Sequence, residues 1–259
     1  MRVVIVDGQL SPDGSVRLDA DDPALLSGLG VFETMRTYGG QIFRLDAHLG
    51  RLEAGAAHLG APFAEGLIRA EIDQALAAFQ WGEANLRVTL SLSGRRLVRA
   101  APLRLHQGSA RCATVFAEPN AALPAWIKHT SRAAAALAAR IEGVTEPLWV
   151  DRDGLLLEGA NSNVIGVMGG ALVTPPLDGR ILAGVTREAL LEVARGLGLG
   201  VVEAPLPARA PFDELYVCST LRELQPVVEL DGRPAPGAGP VGAATRAGFE
   251  ALVAAETGG

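Results

Sequence analysis

Apolar residues alternate with polar ones in short runs along this chain, and recur at three-to-four spacing in longer ones, which predicts a mixture of strands and helices. A β-branched run at 2–6 ends on Asp7-Gly8, a hairpin turn pair. A second strand is expected over 30–38, and Gly39-Gly40 turns it into a third over 41–45. Leu45, Leu49, Leu52, Ala56 and Leu59 then fall at helical spacing, with Asp46 as the expected N-cap. Another helix is predicted over 63–79, and strands over 86–92 and 113–116.

Periodicity fades at Glu118-Pro119-Asn120, with Pro124 close behind, so the pattern places a linker over 119–124 between domains at 1–118 and 125–259. The second half opens with an Ala-rich helix over 131–141. Strands follow over 147–151, 163–168 and 172–174, broken by Asp153-Gly154 and Gly169-Gly170. A helix over 186–197 carries Leu190, Val193, Ala194 and Leu197 on one side, with Arg187, Glu188 and Arg195 turned away. Strands over 201–204 and 214–218 and a last helix over 243–255 complete an α+β architecture in two parts. The run Gly196-Leu197-Gly198-Leu199-Gly200 follows a helix and precedes a strand, the reverse of a dinucleotide-binding turn, and reads as a helix C-cap.

Composition changes this picture mainly by exclusion. The 259 residues suffice for one large domain or two smaller ones, and a hydrophobic fraction of 49% is that of a globular protein. A net charge of -6 argues against a nucleic-acid or anionic-membrane footprint. With no long apolar run and no leader pattern at Met1, a cytoplasmic protein is expected. Cys112 and Cys218 make no disulfide framework, and His48, His58, His106 and His129 have no metal-ligand spacing, so no metal is expected.

Candidate chemistry starts from one count. Of 23 basic residues, 22 are arginine and only Lys128 is lysine. Arginine serves wherever a positive charge is enough, but it cannot lose its proton and attack a carbonyl. Lys128 is therefore either a candidate nucleophile or a surface residue left by coding bias. His48 and Arg51 share a helix face, where Arg51 reads as an anion clamp or as an exposed charge. Glu158-Gly159-Ala160-Asn161-Ser162-Asn163-Val164 sits between two strands. Thr186, expected to cap a helix, leaves backbone N–H groups for an anion.

Taken in order, these segments resemble the class IV aminotransferase family, the fold type IV pyridoxal-phosphate (PLP) enzymes, over nearly the whole chain. The resemblance rests on Phe32-Glu33-Thr34, His48-Leu49-Gly50-Arg51-Leu52, Lys128, and Glu158-Gly159 with Ser162-Asn163-Val164. It continues through Thr174-Pro175, Leu182-Ala183-Gly184-Val185-Thr186-Arg187, and Ser219-Thr220 before Pro226-Val227. Ile165 stands where the family usually has an aromatic residue. The resemblance implies a two-domain fold with the cofactor at the domain interface, a small-molecule substrate, and a homodimer. It also implies that Lys128, in the larger C-terminal domain, is the Schiff-base lysine and shuttles protons at the substrate carbon. Glu158 is expected against the pyridine nitrogen. Arg51, the backbone N–H groups of Val185 and Thr186, and Thr220 with Ser219 are expected on the phosphate. Arg132 is a further expected cofactor contact.

Within the family, three chemistries are open: branched-chain transamination, D-amino-acid transamination, and 4-amino-4-deoxychorismate lyase, which releases pyruvate and 4-aminobenzoate for folate. Thr34 in GLGVFET, Lys128-His129 with Arg132, and the short chain resemble lyase members, and none of Arg95, Arg96 and Arg99 begins an R-x-H pair. The expectation is the lyase, with a branched-chain or D-amino-acid aminotransferase as the alternative. Thr34 either positions lysine or substrate, or is only a strand residue. Arg95, Arg96 and Arg99 belong to an expected basic loop over 95–104 that either receives carboxylates or forms a solvated edge. A catalytically silent binding protein is a different class, against which the presence of Lys128, Glu158, Arg51 and Thr186 speaks.

Overall fold

The computed structural model describes residues 2–118 and 120–258. They form two compact units: one holds the residues up to Arg104, Ile127–Arg132 and those from Val253 onward, the other Leu105–Trp126 and Ala133–Leu252.

In the first unit the chain runs β1 (Val3–Val6), β2 (Gln9–Leu10), α1 (Pro23–Leu26), β3 (Gly30–Tyr38), β4 (Gln41–Ile42), α2 (Leu45–Leu59), α3 (Glu65–Ala78), β5 (Ala84–Ser91) and β6 (Arg96–Pro102). The strands form a sheet in the order β2-β1-β6-β5-β3-β4. Antiparallel register pairs Val31 with Leu90, Glu33 with Val88, Met35 with Leu86, Val88 with Val98, and Leu86 with Ala100. Facing partners share a side of the sheet, so these residues make one buried face, apolar but for Glu33, which α2 and α3 cover with Leu49, Leu52, Ala56, Ile68, Ile72 and Ala75. The opposite face is polar. It sets Thr34 beside Arg87 and Arg87 beside Arg99, three strands abreast.

The second unit contains β7 (Ala110–Phe116), α4 (Ala133–Ala138), β8 (Glu146–Val150), β9 (Leu155–Gly159), β10 (Asn163–Met168), β11 (Ala171–Thr174), α5 (Val185–Gly196), β12 (Val201–Glu203), β13 (Leu206–Pro207), β14 (Glu214–Ser219), β15 (Glu223–Leu230), β16 (Arg233–Pro234) and α6 (Pro240–Thr257). Residues of α6 from Val253 group with the first unit. The sheet path is β12-β11-β10-β14-β15-β7-β8-β9-β13, and β9 also meets β10 at Glu158 and Asn163. That extra pairing closes β10, β14, β15, β7, β8 and β9 on themselves, removing free edges. Ala110, Cys112, Leu148, Leu156, Val164, Leu215, Val217 and Val227 fill a core of this unit.

Several expectations change. The strand over 41–45 shrinks to β4, because α2 begins at Leu45 with Arg44 in the left-handed conformation as N-cap. Asp46 lies inside the first turn, where it favours the helix dipole instead of capping. The expected basic loop over 95–104 is largely strand β6, held between β1 and β5. Thr186 is not a cap: Gly184 is the N-cap of α5 and Thr186 lies in the first turn.

Pro119, in the expected linker, lies outside the described residues, and the surrounding Leu105–Trp126 groups with the second unit. Lys128 does not group with the C-terminal residues as expected. Its carbonyl accepts from Phe32 N at 2.9 Å, Thr130 N donates to Gly30 O at 2.8 Å, and His129 bridges Val31, so this segment extends the free edge of β3.

Candidate active site

Register puts Lys128 on the polar face of the first sheet. Its Nζ lies 5.1 Å from the centroid of the Phe32 ring, and the Arg87 guanidinium stacks on that ring with Cζ 3.5 Å from the centroid. Thr34, half-buried, is two residues along β3 from Phe32 and points the same way. Arg99 follows across β6, and its Nε is buried with no hydrogen-bond partner among the described residues. Burial first, then the charges of Arg99 and Arg132, push Arg87 down to about 10, with Glu33 opposing. A half-buried row of guanidiniums that repel one another is ready to donate to an anion.

On the other face of the sheet, Glu33 is fully buried beneath α2. Arg51 donates Nε to Glu33 Oε1 at 2.7 Å and Nη2 to Oε2 at 2.8 Å, a two-point grip. His48 Nδ1 lies 2.8 Å from the same carboxylate. Burial alone would raise the Glu33 carboxyl, but the Arg51 charge and the bonds from His48 and Arg51 outweigh it and hold it far below the ordinary carboxylate range. An ionised carboxylate only accepts, so His48 carries its proton on Nδ1. Burial lowers His48 below its ordinary value despite Glu33, and Arg51 and Lys128 add to that direction. Phe32-Glu33-Thr34 and His48-x-x-Arg51 are thus one assembly, in which Glu33 fixes the direction of Arg51.

The second unit gathers Glu158, Val185, Thr186, Ser219 and Thr220. Glu158 lies one residue before the end of β9, and its Oε2 accepts from Leu182 N at 2.9 Å and, more weakly, from Asn163 Nδ2 at 3.5 Å. Asn163 also donates to Leu182 O at 2.9 Å. A Cβ on Gly184 would overlap the Asn163 amide, so glycine is what lets the start of α5 close on Asn163. No side chain caps α5, which leaves its first backbone N–H groups, those of Val185 and Thr186 among them, without a side-chain acceptor. Arg187 does not point to the helix start. It is buried, donating to Glu203 Oε2 at 2.8 Å, Pro175 O at 2.9 Å and Thr174 Oγ1 at 3.3 Å, and so ties two motif segments together. Ser219 and Thr220, half-buried, stand where β14 ends.

Burial pushes both cysteine thiols, Cys112 and Cys218, up to about 12, which removes them as nucleophiles near neutral pH. The site residues expected from the sequence leave out Arg87, whose place beside Arg99 depends on strand register. They also leave out the buried Glu146 and Arg222, described below. The one available signal was an arginine on the polar side of the alternating 86–92 strand.

The profile described as Amino-transferase class IV matches residues 30–230, and the chain belongs to that family. A Methanocaldococcus jannaschii protein that carries a branched-chain-amino-acid aminotransferase name is 29% identical over 254 residues, covering 89% of this chain and 88% of that protein. A D-alanine aminotransferase of Listeria innocua is 28% identical, covering 88% of each. Among solved structures, a branched-chain aminotransferase from Thermoproteus uzoniensis with norvaline superposes with a TM-score of 0.88 at 26% identity, over 98% of this chain and 95% of that one. A hypothetical aminotransferase from Mycobacterium tuberculosis in a PLP-bound form gives 0.87 at 26%, over 98% and 99%. Among the described residues no helix is long and apolar enough to cross a membrane.

Proposed function

We propose that this chain is a PLP-dependent aminotransferase that moves amino groups between an α-amino acid and an α-keto acid. The observation that carries this reading is the placement of the chain's only lysine beside Phe32, on the face that also carries Thr34, Arg87 and Arg99. An amine able to take a carbonyl there neighbours guanidiniums able to take a carboxylate, and a transaminase substrate has both groups. The donor set also suits the cofactor: an uncapped helix start and a pre-aimed arginine suit a phosphate, and an oriented carboxylate suits a pyridine nitrogen.

PLP, when bound, supplies the electron sink that makes the substrate's α-proton acidic. Lys128 holds the cofactor's aldehyde carbon and moves the proton at the substrate's α-carbon. Glu158 keeps the pyridine nitrogen protonated. Arg51, the N–H groups of Val185 and Thr186, and the hydroxyls of Thr220 and Ser219 hold the phosphate, with Arg132 as a further cofactor contact. Thr34 orients the lysine or the substrate, and Arg87 with Arg99 takes the substrate carboxylate. Branched-chain and D-amino acids are the first donors to test, given the names of the relatives. We also propose a cytoplasmic homodimer, which sedimentation of the purified protein tests.

A second reading, 4-amino-4-deoxychorismate lyase, is favoured by one observation: Arg99 faces Arg87 across neighbouring strands, a surplus of positive charge suited to a substrate with two carboxylates. The PLP-loaded protein is mixed with single amino acids and no keto acid. Stoichiometric conversion of the cofactor to its amine form supports transamination. No conversion with any L- or D-donor, alongside release of 4-aminobenzoate from aminodeoxychorismate, replaces it with the lyase.

A further inference from the structure

The hairpin between β14 and β15 turns through Thr220, Leu221 and Arg222, with Arg222 N donating to Ser219 O at 3.0 Å. Arginine at a hairpin tip ordinarily reaches into water, but Arg222 is only 5% exposed. Its Nη2 donates to Glu146 Oε2 at 2.6 Å and to Thr145 O at 3.1 Å, and its Nη1 bonds Gln225 Oε1. Glu146, 1% exposed, uses its other oxygen on the segment after Glu158: Oε1 accepts from Asn161 N at 2.7 Å and from Ser162 Oγ at 2.8 Å. A side chain on Gly159 would overlap Ser162 Oγ and come within 2.6 Å of Glu146 Oε1, so the turn is closed tightly on the carboxylate. His106 N donates to Leu221 O at 3.0 Å, and Glu223 holds the left-handed conformation at φ 53°, so the tip is fixed from several sides.

We infer that Arg222, seated on Glu146, is a positioning residue that fixes the Ser219–Thr220 tip relative to the turn after Glu158. This rests on the proposed PLP role of those groups, since it assigns the spacing between the phosphate grip and the carboxylate for the ring nitrogen. Neither Glu146 nor Arg222 touches the cofactor in this assignment. A phosphate hydroxyl is useful only if it stands where the phosphate lies when the ring meets Glu158, and an unanchored tip loses that preorganisation.

The test compares PLP with pyridoxal, which lacks the phosphate, as ligands of the full-length apoprotein, followed by visible absorbance and alongside thermal unfolding. Arg222→Met is expected to weaken PLP about tenfold, the lower end of what loss of a supporting contact behind a ligand costs, and to change pyridoxal by less than about twofold. Arg222→Lys, keeping the charge but not the fork, is expected to fall between. Unchanged PLP affinity in folded Arg222→Met overturns the inference, and so does equal weakening of both ligands, which marks general loosening. If Arg222→Met does not fold because Glu146 is left as a buried lone charge, the pair Glu146→Gln with Arg222→Met removes that charge and keeps an acceptor for Asn161 and Ser162. The same two criteria then apply to it. Failure of the wild-type protein to bind PLP sinks the cofactor reading instead.

Discussion

Glu33 brings a negative charge into an otherwise apolar face of the first sheet, and it is tolerated because Arg51 and His48 satisfy both of its oxygens. Glu33→Gln leaves Arg51 with no matching charge, and a loss of about 3 kcal/mol in folding stability is expected from urea titration. The pH dependence follows from depressed values. His48, His106 and His129 all lie below 6.5 in the folded chain, burial leading in each case, so the unfolded chain binds more protons below that value. The stability they contribute is complete above about pH 6.5 and is lost as pH falls. Glu33, also depressed, adds a loss of the same sign below 4.5. The melting temperature of the apoprotein should therefore fall from about pH 7 to pH 5, and His48→Gln should flatten that slope. A slope of opposite sign would count against these burial arguments. At this scale much was legible in the sequence: a lone lysine, a helical arginine next to a histidine, and a carboxylate before Ser-Asn mark positions without any fold. Arg87 with Arg99, and Glu146 with Arg222, were not legible, because strand register and a buried hairpin tip bring together residues far apart in sequence.

Elements aim these groups. Helix α5 starts at Gly184 without a side-chain cap, and Asn163 occupies the space a Cβ there would need. Gly184→Ala is expected to shift the start of α5 and cost about 1–3 kcal/mol by overpacking, with weaker PLP binding in the same variant. Unchanged stability and affinity would mean that Asn163 yields readily. Helical periodicity located α2, α3, α5 and α6 within a few residues, since each buries a repeating apolar stripe. Ends were less legible. Asp46 has the chemistry of a cap, yet Arg44 takes the left-handed turn that starts α2. The arginine-rich stretch after Gly94 reads as a loop because its charges hide the alternation of Val98 and Ala100, which face the core.

The whole molecule shares its fold with aminotransferase structures over almost its full length, and its family is shown by the match over 30–230. A linear boundary at 119–124 was the natural reading of a Pro-rich stretch. The chain departs from it because Lys128–Thr130 completes the edge of β3 within the first unit. Lys128 is central to the proposed function, and a chain with a single lysine permits an unusually clean test. Purified protein loaded with PLP is reduced with borohydride, digested, and mapped by mass spectrometry. The reduced cofactor is expected on the peptide containing Lys128, and neither that label nor the visible absorbance band is expected in Lys128→Ala. A label on any other peptide, or a wild-type protein that takes up no label, would contradict the proposed function.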